Sequence, residues 1–168
     1  MSARVTERFH AEHDNIAQLL LVLESHLVLM NDDEPFDAAV MLEALDYLID
    51  YVQDFHRHRE DDVVATLSAR HDAIQTSGAE LYHRLDLAVR DDTVNRAEVI
   101  HLAYAYCREL RRLMAVEEHA FSQVGDDAGA GANANATAAV ARRDEAPYRT
   151  RYEDLTRRIG CACAYARR

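Results

Sequence analysis

Seven residues near the amino terminus, Phe9, His13, Ile16, Leu20, Leu23, Leu27 and Met30, recur at intervals that alternate between four and three. That rhythm puts all seven on one stripe of an α-helix, the seam by which a helix packs into a bundle. A half-buried strand would alternate every second residue instead. The seam predicts a helix from about Thr6 to Met30 and requires partner helices to cover it. One seam position is a histidine, whereas His10 and His26 fall off the seam and are expected in solvent.

Asn31-Asp-Asp-Glu-Pro35 reads as a turn whose acids and proline suit the opening of a second helix. That helix is expected to reach about Arg70, with apolar positions at Leu42, Leu45, Ile49 and Val52, then Val63 and Leu67. Where the stripe should continue, it carries His56 and Glu60. Four residues apart is one helical turn on one face, so imidazole and carboxylate point together at whatever the helix packs against. Burying both is costly unless they pair or bind something. A metal clamp suited to iron or zinc is one reading; a surface pair or a core hydrogen bond is the other.

Two capping-box patterns, Asp72-x-x-Gln75 and Ser77-x-x-Glu80, compete to open a third helix ending near Arg90, with Asp91-Asp92-Thr93 as the next turn. A fourth helix has the stripe Val99, Leu102, Tyr106, Leu110, Leu113, Glu117, Ala120 and Val124, broken by one acid as the second helix is. Beyond Gly125 the chain turns small, polar and low in complexity, as a loop does. A last helix is expected from Pro147 to Gly160, with Tyr148, Tyr152, Leu155 and Ile159 on one face. The expected architecture is all-α: an up-down-up-down four-helix bundle over 1–124, a loop over 125–146, a short C-terminal helix over 147–160 packed on the bundle, and a tail over 161–168.

Composition agrees and narrows function. A chain of 168 residues makes one domain with a real core, and five Gly and two Pro leave few breaks in its helices. A net charge of -11 argues against nucleic acid and anionic membrane as partners. Apolar runs such as Leu19 to Leu23 are too short to span a bilayer, and the first residues lack a signal-peptide pattern, so a cytoplasmic protein is expected. Cys107, Cys161 and Cys163 form no disulfide framework, in keeping with a reducing compartment. No Gly-rich phosphate loop or nucleophile triad stands out, which argues against a turnover enzyme.

Three stretches, Glu12-His13-Asp-Asn-Ile16, Phe55-His56-Arg-His-Arg-Glu60-Asp61 and Leu113-Met-Ala-Val-Glu117-Glu118, together with the closing Arg151-to-Ile159 segment, resemble the hemerythrin-like (HHE cation-binding) family. The resemblance implies a His on helix one and His-x-x-x-Glu on helix two, then a His on helix three and a second His-x-x-x-Glu on helix four. It further implies one or two non-heme iron ions that bind dioxygen or a related small oxidant, in a carrier or sensor. His13 and His56 would give imidazole nitrogen, and Glu60 and Glu117 carboxylate oxygen. On helix four the family's His is Leu113. On helix three, residue type points to His83, while the phase of Ile74, Leu81, Leu85 and Ala88 points to Leu85. Two ligand sets follow: His13, His56, Glu60, His83 and Glu117 around one or two metals, or His13, His56 and Glu60 with Glu117 nearby. The competing expectation is a metal-free descendant that works by binding another protein, a second copy of itself or a small ligand.

Overall fold

The computed structural model describes residues 3–51, 67–90, 94–127 and 146–165, with side chains over 9–51, 67–90, 94–120 and 148–159. These residues form five helices and no strand: α1 (Ala3–Asn31), α2 (Ala38–Tyr51), α3 (Ser68–Arg90), α4 (Arg96–Asp127) and α5 (Ala146–Tyr165). All seven residues of the α1 seam are buried, none above 5% exposed. The helix ends where Asp33 turns left-handed at φ 54, letting Glu34 N donate to Leu29 O (2.9 Å), and the next helix opens on Asp37, whose carboxylate accepts from Val40 N (3.0 Å).

The core sits where four helices meet. α1 packs on α2 and α4, α2 on α3, and α3 on α4, which closes a ring of contacts; α5 lies against α2 from outside. Arg151 pins α5 by donating to Asp50 (3.0 Å) and Asp46, and Leu155 is fully buried beneath it. Opposite, Arg111 of α4 holds Glu24 of α1 with both guanidinium nitrogens, one at 2.8 Å. Among the described residues no helix is long and apolar enough to cross a membrane.

Three sequence expectations need correcting. The α2 stripe is rotated: Met41, Ala44, Leu45 and Leu48 are fully buried, while Leu42 and Ile49 are half-buried edges. α2 is covered by α1 and α3 on one side and by α5 on another, so Tyr47 and Tyr51 are buried too, and its apolar pattern runs most of the way round. Second, α3 is already helical at Ser68, and neither capping box opens it. Ser77 instead returns its hydroxyl to Ile74 O (2.9 Å), the habit of a serine inside a helix. Third, two glycines fail as stops, since α4 runs through Gly125 to Asp127 and α5 through Gly160 to Tyr165. Residues 128–145, most of the expected loop, and the expected turn at 91–93 lie outside the described residues.

Gly78 sets how closely three helices approach. A methyl group there would meet Ile49 Cγ1 at 2.9 Å, closer than real contacts allow, and the Tyr106 ring at 3.0 Å, closer than most. Alanine would gain about 1 kcal/mol of helix propensity but force α2 and α4 apart, an overpacking cost of about 1–3 kcal/mol. Gly78→Ala is therefore expected to destabilise the fold, read as a lower urea midpoint with an unchanged slope.

Candidate functional site

The two interruptions of apolar stripes that the structure describes, His13 on α1 and Glu117 on α4, converge. Glu117 is 0% exposed and His13 is 2% exposed, and His13 Nε2 lies 3.2 Å from Glu117 Oε2. A third buried group joins them from α3: His71, 1% exposed, places Nε2 2.9 Å from Glu117 Oε1. Two imidazoles thus address opposite oxygens of one carboxylate.

Each ring is also held from behind. His71 Nδ1 lies 3.0 Å from Leu67 O, and a carbonyl can only accept, so Nδ1 carries the proton and donates it. The lone pair of a neutral His71 is then on Nε2, aimed at Glu117. His13 is built alike, with Nδ1 3.2 Å from Oε1 of the half-exposed Glu118 and Nε2 turned to Glu117. The Phe9 ring packs on the His13 ring, centroids 4.1 Å apart, and restricts its rotation. An imidazole whose Nδ1 proton is fixed by a carbonyl or carboxylate, leaving Nε2 directed inward, is the usual arrangement of a histidine ligand.

The charge on Glu117 decides what this arrangement can do. An ionised carboxylate removed from water costs several kcal/mol unless something positive compensates it. A bare Nε2 lone pair facing a carboxylate oxygen is repulsive, so a proton or a metal cation must lie between at least one such pair. The donor set, two imidazoles and a carboxylate, suits iron or zinc. Two donors each about 2.1 Å from one ion at right angles lie about 3 Å apart, close to both separations seen. As they stand, however, the groups touch one another directly, and among the described residues no group of three or more His, Cys, Asp and Glu is placed to hold a metal ion. The donor types suit such an ion, but the groups as placed contact one another and do not surround a metal position.

The sequence-derived candidates divide. His13 and Glu117 come together; His83 is exposed on α3 and away from them. Leu85 and Leu113 are each 1% exposed, packed as dry core. His56 and Glu60 lie outside the described residues. His71 is the residue that sequence reasoning missed, and a signal for it existed. His71, Ile74, Gly78, Leu81, Leu85 and Ala88 follow the same three-and-four rhythm as α1. Extending the second helix to Arg70 put His71 at a boundary instead of on a seam.

Two other titratable groups in the core are silent. Cys107 is fully buried, and burial, with the Glu24 carboxylate adding to it, pushes its thiol up to about 12. Burial and the neighbouring Cys107 likewise raise the Tyr106 hydroxyl above its usual range. Both stay protonated at neutral pH.

Comparison of the chain with protein-family models, curated proteins and solved structures returns no match.

Proposed function

We propose that this protein is a hemerythrin-like helical bundle that binds non-heme iron and meets dioxygen or a related small oxidant as a carrier or sensor. One observation carries the reading: His13 and His71, from different helices, direct Nε2 at opposite oxygens of the fully buried Glu117 while their Nδ1 atoms are held from behind. On this reading His71, rather than His83, is the helix-three imidazole. The short six-residue connection between α1 and α2, and a closed ring of contacts that follows the order of the four helices in the chain, support an up-down-up-down topology on this reading.

Iron bound there would supply redox chemistry toward a small oxidant. Glu117 gives negative charge and two oxygens, and His13 and His71 give neutral nitrogen donors in a fixed tautomer. His56 and Glu60 are the further ligands this reading calls on. Leu113, one turn before Glu117 on the same buried face, keeps water from that side. It also leaves the set one donor short, so iron held by these residues would be bound less tightly than with a histidine at that position.

A second reading is favoured by the direct contacts at 2.9 and 3.2 Å together with the dry Leu85 and Leu113. Here an imidazolium neutralises Glu117, no metal binds, and the bundle acts through a protein partner. Anaerobic loading with ferrous iron, desalting, elemental analysis and a visible spectrum after exposure to air separate the two. Iron retained by the natural protein and lost from His71→Ala and Glu117→Gln is the expected result. A desalted protein with no iron and no near-ultraviolet bands supports the metal-free bundle.

A further inference from the structure

Three arginines meet on the outer side of α4 along its border with α1, around an open cleft of about 480 Å³ lined by Glu24, Tyr104, Arg108, Arg111, Arg112 and Ala115. None of these residues belongs to the His13–His71–Glu117 cluster. Glu24 is engaged with Arg111, which it holds with both oxygens. Arg108 and Arg112 then share one atom: Glu109 Oε1 lies 2.6 Å from Arg112 Nη1 and 3.6 Å from Arg108 Nε. Elsewhere carboxylates are not scarce. Arg84, Arg90, Arg151, Arg157 and Arg158 each hold at least one that no other described arginine touches.

Such an arrangement is unfavourable by itself. Arg108 and Arg112 are one turn apart on one face, and Arg111 follows Arg108 by three residues, spacings at which like charges destabilise a helix. A chain of thirty acidic and nineteen basic residues has acids to place between them, yet only Glu109 stands there. Both exposed guanidinium groups turn to the same oxygen of it. A ligand with more negative charge than one carboxylate suits them better, and the guanidinium fork matches phosphate oxygens in pairs. The Tyr104 ring, one turn before Arg108 and 38% exposed, adds a flat apolar wall, and the small Ala115 leaves room at the other end. The reach of the field selects the size of the ligand. Charges at a surface are screened over about 8 Å at physiological ionic strength. A compact anion seated here therefore feels three guanidinium groups more than the net charge of -11. A nucleic acid or an acidic protein extends past them onto the acidic surface and is repelled.

We propose that the face of α4 bearing Tyr104, Arg108 and Arg112 binds a nucleoside di- or triphosphate, the two arginines taking the phosphates in place of Glu109 and the Tyr104 ring stacking on the base. The site has no part in the iron reading and stands or falls without it.

Calorimetric titration of the metal-free full chain with ADP, inorganic pyrophosphate and adenosine, in a chelating buffer at fixed ionic strength, tests this. ADP is expected to saturate one site, pyrophosphate to bind about tenfold more weakly for want of a base to stack, and adenosine not to bind. Arg108→Gln combined with Arg112→Gln changes two exposed positions to another good helix former. That double variant should keep its fold by circular dichroism and lose about tenfold or more in affinity for ADP and pyrophosphate alike. Glu109→Gln should act in the opposite direction and tighten both ligands by about tenfold, because the internal carboxylate no longer competes. Tyr104→Phe should bind ADP as the natural protein does, and Tyr104→Leu should bring ADP down to the affinity of pyrophosphate. The proposal fails if ADP does not saturate, if the double arginine variant binds it unchanged, if Glu109→Gln weakens binding, or if Tyr104→Leu and Tyr104→Phe bind ADP alike.

Discussion

Glu117→Ala is expected to lower the folding stability of the metal-free protein by about 3 kcal/mol and to abolish retention of iron. The natural residue sits at 0% exposure between two imidazoles that are themselves 1% and 2% exposed. Removing it takes away the group that both Nε2 atoms face. Any positive charge left on either ring would then be buried without its counter-ion, the costly half of breaking a buried pair. A cavity of carboxylate size adds to the loss. Glu117→Gln separates these contributions. The amide keeps the volume, can donate to one Nε2 and cannot carry the negative charge, so part of the stability should return while iron retention does not. Urea unfolding followed by circular dichroism measures the first effect, and elemental analysis after desalting the second. A Glu117→Ala variant within about 0.5 kcal/mol of the natural protein, the range of an ordinary surface change, would mean that the cluster is not the electrostatic centre proposed.

What the sequence shows of this molecule follows from how much of each helix is covered. α1 is buried along one stripe and its seam is legible to the residue, His13 included; on α4 the seam holds at Val99 and from Tyr106 through Leu110 and Leu113 to Glu117, while Leu102 is half-buried and burial spreads to Ala103, Cys107 and Met114. A polar residue in such a seam is conspicuous because its neighbours at three and four residues are apolar. α2 lies between α1, α3 and α5, so its buried residues reach most of the way round, and the stripe read through Leu42 and Ile49 settled on the wrong edge. The start of α3 was hidden for a different reason. Asp72-x-x-Gln75 and Ser77-x-x-Glu80 are good local caps, but burial of Leu67, His71 and Ile74 against the other helices outweighs a cap preference of about 1 kcal/mol. That misplaced boundary kept His71 out of the candidate set and left His83, an exposed residue, to stand for it. The seat of α5 was half visible, since Tyr148 and Tyr152 share a stripe. Its partners Tyr47 and Tyr51 come from α2, whose rotation relative to α5 no local pattern specifies.

Leu113→His reverses sign with metal, which makes it the sharpest test of the iron reading. Leu113 is 1% exposed and one helical turn before Glu117, so a histidine there shares the face of α4 that carries the carboxylate. Without metal the change deletes core volume and places a polar imidazole at a fully buried position. The expected loss is about 2–4 kcal/mol, seen as a melting temperature well below that of the natural protein. With ferrous iron under anaerobic conditions, the new ring restores the donor that helix four lacks. Ligand linkage stabilises the folded state by about 1.4 kcal/mol for each tenfold gain in affinity once iron is well above its dissociation constant. The gap in melting temperature between variant and natural protein should therefore shrink or invert as iron is added. Combining Leu113→His with Glu117→Gln should remove that gain and leave only the core penalty, because an added imidazole cannot hold the ion without the carboxylate beside it. An iron-independent gap in the single variant would mean that position 113 is core alone, and that Glu117 is neutralised by a proton.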